Sequence, residues 1–180
     1  VRAGAEANGG AINIRAGALN LLDGATIATL VRAGGQGQAG NVAIAVAGDM
    51  RIDGSNLVLN RPGVVTGIDA RLDESASGRG GDIAIQARNL SINSGGYPAI
   101  RSDSLGLGDG GSITIQLEDT LDIRNSSAII TTLREGATGT AGTITVDAAN
   151  VRLDSGSFIA SETTGEGDAG TVSLTATDTV

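Results

Sequence analysis

Aliphatic residues in this chain fall on alternate positions in short bursts, and the bursts return at a regular interval. The clearest burst is a phrase of small residue, Gly, any residue, aliphatic, any residue, aliphatic. Its copies are Gly9–Ile14, Ala39–Ile44, Gly80–Ile85, Gly110–Ile115, Ala141–Val146 and Ala169–Leu174. The second small residue stands at 10, 40, 81, 111, 142 and 170, giving intervals of 30, 41, 30, 31 and 28. Period-two alternation bounded by Gly, Asn, Asp and Ser predicts short strands separated by turns, and no 3.6-residue periodicity competes with it. A repeat of this length predicts a stacked architecture in which one unit buries its inner face only against its neighbours.

Each unit divides into three predicted strands, A, B and C. Strand A places Ile12/Ile14, Val42/Ile44, Ile83/Ile85, Ile113/Ile115, Ile144/Val146 and Val172/Leu174 inward. Strand B supplies Leu19/Leu21, Met50/Ile52, Leu90/Ile92, Leu121/Ile123 and Val151/Leu153. Strand C supplies Ile27, Ile68, Ile100, Ile129 and Ile159. The fold class expected is all-β: a single-stranded parallel β-helix of about 5.5 coils, period about 30 residues, with three short strands per coil. Residues 1–180 read as one segment cut from a longer solenoid, whose open ends would expose unpaired strand edges. Outward residues also align: Asp122 is expected beside Arg152 and Asp69 beside Arg101, as exposed pairs that set register more than stability.

The second unit is longer. Ile68 precedes the next phrase glycine by 13 residues, as Ile27 and Ile129 precede theirs, so the extra residues fall at the B–C corner, 56–66. Corner insertions in solenoids often carry binding residues. The plainer reading is that Leu57, Val58, Leu59, Val64 and Val65 fold back onto a flank.

Composition narrows the function. The 180 residues contain 29 Gly, one Phe, one Tyr, no Trp, no Cys and no His, and the net charge is −8. The core must therefore be aliphatic. An acidic, Lys-free chain with two aromatics lacks the phosphate-neutralising patch and the stacking platforms of a nucleic-acid binder. No apolar run reaches the length of a membrane span, and nothing at the start reads as a signal peptide.

Three segments, Gly35–Gly40, Gly106–Gly111 and Gly165–Gly170, match G-x-G-x-x-G. A dinucleotide site requires such a loop to open a helix. Here each opens a strand, so the reading is a tight turn with positive φ. The Gly-Asp elements at Gly108-Asp109 and Gly167-Asp168 resemble calcium-binding β-roll turns. Those repeat every nine residues or so, and other corners here carry Gln38, Arg79 or Thr140. No cofactor is expected.

Without His or Cys there is no nucleophilic triad. Carboxylate chemistry on glycans needs two or three carboxylates converging on one face, and strand B offers Asp122 alone, between Ser91 and Arg152. A carboxylate cluster on an outer face would favour an enzyme. Strand A turns hydroxyl-rich outward: Ser112/Thr114, Thr143/Thr145 and Thr171/Ser173. Such an array fits an ice- or carbohydrate-binding face, or the ordinary strand propensity of Thr.

The pattern Gly-x-Gly-x-Ala-Gly-x-Ile-x-Ile, then a B strand ending Leu-Asp-Ser-Gly, then an apolar C strand, resembles the repeats of filamentous-haemagglutinin-like exoproteins, closest to the cyanobacterial type. The resemblance covers nearly the whole chain except the insertion. It implies a right-handed β-helix, export by two-partner secretion with an outer-membrane transporter, and a secreted or cell-surface location. The function expected is a non-catalytic structural or adhesive segment, meeting a host or neighbouring cell surface or extracellular glycans. A polysaccharide-processing enzyme is the alternative and an ice- or carbohydrate-binding surface the third reading. The candidate interaction residues are Asn56, Asn60, Arg61, Thr114, Thr143, Thr145 and Thr171.

Overall fold

The structure, a computed structural model, describes residues 1–2, 4–56 and 65–180. Among these residues there is no helix, and every strand pairs in parallel with its counterpart one repeat away. The chain is a β-solenoid of about five turns with a period of about 30 residues, as the phrase spacing predicts.

The A strands are β1 (Ile12–Ala16), β5 (Val42–Val46), β9 (Ile83–Ala87), β13 (Ile113–Leu117), the first half of β17 (Ile144–Leu153) and β20 (Val172–Thr179). The B strands are β2 (Leu19–Leu22), β6 (Asp49–Asp53), β10 (Asn89–Asn93), β14 (Thr120–Ile123) and the second half of β17. β17 runs through both, which joins the A and B stacks into one ten-stranded sheet. The C strands form a second sheet: β3 (Thr26–Ala28), β7 (Gly67–Asp69), β11 (Pro98–Arg101), β15 (Ala128–Leu133) and β18 (Phe158–Thr163).

Register follows the predicted columns. Ile14, Ile44, Ile85, Ile115, Val146 and Leu174 stack in line on A. Leu19, Met50, Leu90, Leu121 and Val151 do so on B. Ile27, Ile68, Ile100, Ile129 and Ile159 do so on C, so the placing of Ile68 holds across the insertion. These columns form one continuous aliphatic core. Each buried side chain in it contributes roughly 1.5–3 kcal/mol, offset by the entropy of ordering the chain.

One expectation changes. Each turn carries a fourth strand in the Gly-rich corner: β4 (Gln36–Gln38), β8 (Ser77–Arg79), β12 (Leu107–Asp109), β16 (Thr138–Thr140) and β19 (Glu166–Asp168). They make a third parallel sheet, so the corners are paired strands and not only turns. Their central residue is Gly37, Gly78, Gly108, Gly139 or Gly167, at φ between 127° and 148°. A Cβ on Gly108 would overlap the carbonyl oxygen of Gly78 beneath it. The phrase glycines repeat this close approach: a Cβ on Gly111 or Gly142 would overlap the carbonyl oxygen of Gly81 or Gly111. The recurring Gly therefore encodes backbone stacked against backbone.

Between the C sheet and this corner sheet lies a second, smaller core. Val31, Leu72, Ser104 and Leu133 form a bridged column there, with Ala39 and Ala76 at one end and Ala137 and Ala141 at the other. Interior hydroxyls fasten its wall. Ser102 Oγ accepts from Gly111 N–H at 3.0 Å and donates towards the Gly81 carbonyl at 2.8 Å. Ser161 repeats the arrangement with Gly170 N–H and the Gly142 carbonyl, at 2.9 and 3.0 Å. Thr29 and Thr131 donate to the carbonyls of Gly40 and Gly142, at 2.5 and 2.6 Å.

Candidate functional site

The outer face of the A strands holds four of the predicted interaction residues. Thr114, Thr145 and Ser173 stand in register on β13, β17 and β20. Ser112, Thr143 and Thr171 precede the same strands, and Thr143 and Thr171 are exposed. Among the described residues none of these six hydroxyls donates to another protein group, so all six are left for solvent or a ligand. Towards the first turns the same face becomes small and apolar at Ala43, Ala45 and Ala84. In the middle, Gln86 and Gln116 form an amide ladder at 2.9 Å.

Beside this face, where the chain bends from A to B, runs an open groove of about 640 Å³. Its lining passes from Arg15 through Ala45 and Ala47, then Gln86, Gln116 and Glu118, to Asp147. Those residues come from five successive turns, so the groove follows the stacking axis for roughly 20 Å at the usual strand spacing. Its lining is part apolar, from Val46, Ala87 and Leu117, and part polar, from Gln86, Gln116 and Asp147, which suits the ring faces and hydroxyls of a sugar.

The insertion is described only at its ends. Asn56 is exposed at the end of the B side of the second turn. Asn60 and Arg61 lie outside the described residues. At the return, Thr66 Oγ1 accepts from Gly24 N–H, and Thr26 Oγ1 donates to the Val65 carbonyl, both at 2.7 Å. The end of the excursion is thus fastened to the preceding turn.

Outward charges pair mainly along a strand. Asp122 and Arg152 are register neighbours as expected, but Arg152 pairs with Asp154 at 3.0 Å and Asp122 with Arg124. Residues two apart on a strand share a face, and the i, i+2 partner is the one reached here. The expected cross-turn pair of Asp69 with Arg101 does form, at 2.6 Å. It belongs to a larger cluster on the outer face of the C sheet, in which Arg71 bonds Asp69 at 2.6 Å and Asp73 at 2.8 Å. Sequence reasoning missed the rest of this cluster, because the segments Asp69–Asp73 and Arg101–Asp103 are some 30 residues apart and only the register joins them. Carboxylates do meet on this face, but arginines stand between them, and Asp69 is held by two guanidinium groups. Among the described residues no cluster of three acidic side chains could hold a metal ion.

The Gly-Asp corner uses its carboxylate internally: Asp109 Oδ1 accepts from Thr140 N–H at 2.8 Å and from Thr140 Oγ1 at 3.0 Å. Asp82 caps Ser112 N–H likewise, at 2.9 Å. Among the described residues no helix is long and apolar enough to cross a membrane. Compared with protein-family models, curated proteins and solved structures, the chain finds no match.

Proposed function

We propose that this chain is a non-catalytic, adhesive rod segment of a large exoprotein of the filamentous-haemagglutinin-like type, exported through an outer-membrane transporter to the cell surface or beyond. The observation that carries the reading is the outer face of the A strands. It is a parallel sheet face of small side chains, unengaged hydroxyls and one amide ladder, bordered by a groove that follows the stacking axis over five turns. A solenoid makes such a face rigid in advance, so binding a linear glycan along it orders little protein. The interior hydroxyls and coil-to-coil caps serve the scaffold, leaving this face as its adhesive surface.

The test is adhesion of the purified chain to polysaccharide-coated beads and to whole cells. Ala45→Arg and Thr145→Arg place long charged side chains in the groove and on the hydroxyl array. Both are expected to abolish adhesion while leaving the β-sheet circular dichroism unchanged. Retained adhesion in both variants would overturn the choice of face. Release of new reducing ends from any bound glycan would replace the reading with the polysaccharide-processing one.

A further inference from the structure

The cluster on the outer face of the C sheet surrounds a cavity of about 320 Å³, at the low end of small-molecule sites. Arg71, Arg101 and Arg134 come from three successive turns and line it together with Asp103, Glu74 and Glu135. Asp103 is 1% exposed. One of its oxygens accepts from Thr132 N–H at 3.0 Å, yet among the described residues it makes no ion pair within 4.0 Å. Arg101 Nε and Asp69 Oδ1 are withdrawn from solvent without a hydrogen-bond partner, and Asp69 is 5% exposed. Among the described residues the Arg134 guanidinium bonds no side chain. A buried donor on the lining residue Arg101 and a buried acceptor on its neighbour Asp69 are costly to leave unmatched.

We propose that this cavity binds a carboxylate-bearing sugar, a uronate residue of an acidic polysaccharide. Guanidinium forks match a carboxylate in geometry and charge, and the exposed Arg134 supplies the donors. Asp103, Glu74 and Glu135 supply acceptors for ring hydroxyls. A bare phosphate dianion would meet three carboxylates at the same wall, and a neutral sugar would leave the guanidinium donors without an anion. A ligand with one negative charge and several hydroxyls satisfies both sets. The cavity lies on a different sheet from the A-strand face, so the two assignments stand or fall separately.

Calorimetric titration of the whole chain with an oligogalacturonate tests this, beside the methyl-esterified oligomer, which keeps the hydroxyls and loses the charge. The oligogalacturonate is expected to bind, and the ester about tenfold or more weakly. Arg134→Gln, at an exposed position, is expected to lower affinity about tenfold with the fold unchanged. Thr145→Arg should leave this affinity intact while removing bead adhesion. Equal binding of acid and ester, no binding of the acid, competition by inorganic phosphate at the same strength, or an unchanged Arg134→Gln would each overturn the proposal.

Discussion

Asp103 is the residue whose surroundings most oppose its charge. Burial pushes its carboxyl up to about 6, while Arg101 and Arg134 pull it back and Asp69 adds to the rise. Arg71 faces it too, and Glu74 and Glu135 share the cavity wall. An unfolded Asp titrates near 3.8, so between about pH 4 and 6 the folded chain holds a proton that the unfolded chain has lost. This group's contribution to stability therefore falls as pH rises through that window and stays low above it. Asp103→Asn keeps an oxygen for Thr132 N–H and removes the charge. Urea unfolding should show the variant more stable at neutral pH, by on the order of 3 kcal/mol at most, and no different at about pH 4. A second residue-scale test concerns Ser102, which serves Gly111 N–H and the Gly81 carbonyl from inside the wall. Ser102→Ala strands these buried groups and is expected to cost about 1–3 kcal/mol in the same assay. Neither role is legible in the sequence. Arg101-Ser102-Asp103-Ser104 reads as a polar loop, because burial there comes from register with neighbouring turns and not from apolar alternation.

At the scale of the element, apolar alternation made the A and B strands legible, and the 13-residue offset shared by Ile27, Ile68 and Ile129 carried the C strand past the insertion. The corner strand stayed hidden, since Gly-x-Gly-x carries no alternation and its residues resemble a turn. What specifies it is contact between backbones. Gly108 sits at φ 141°, and a Cβ there would overlap the Gly78 carbonyl. Gly108→Ala should therefore lose at least about 2 kcal/mol by strain and displaced pairing. Gly10 belongs to the glycine-bearing phrase that follows these corners, yet a Cβ there meets nothing within 4 Å. Gly10→Ala should change stability by no more than about 0.5 kcal/mol. Thermal melts of the two variants separate a packing requirement from mere repetition of glycine: equal losses would mean that the stacked carbonyls are not what the motif encodes.

Across the whole molecule, the solenoid is nearly one-dimensional. β9 is paired on both sides, by β5 and β13, and β10 likewise by β6 and β14, whereas β1 and β20 each pair on one side only. Burial follows the same gradient: Ile113, Ile115 and Leu121 are fully buried, while Val172 is 40% exposed. Stability in such an array is close to a sum of per-turn terms and neighbour interfaces. Opening β20 therefore breaks one interface, while opening β13 breaks two and uncovers core on both sides. Native-state hydrogen exchange should show the slowest amides in β9, β10, β13 and β14, with protection falling turn by turn towards β1 and β20. The same gradient predicts that an uronate held across Arg71, Arg101 and Arg134 slows exchange most in β7, β11 and β15, the turns it bridges, and leaves β1 unchanged. Uniform protection along the chain would instead mean that the turns unfold as one cooperative block, and the additive description would fail.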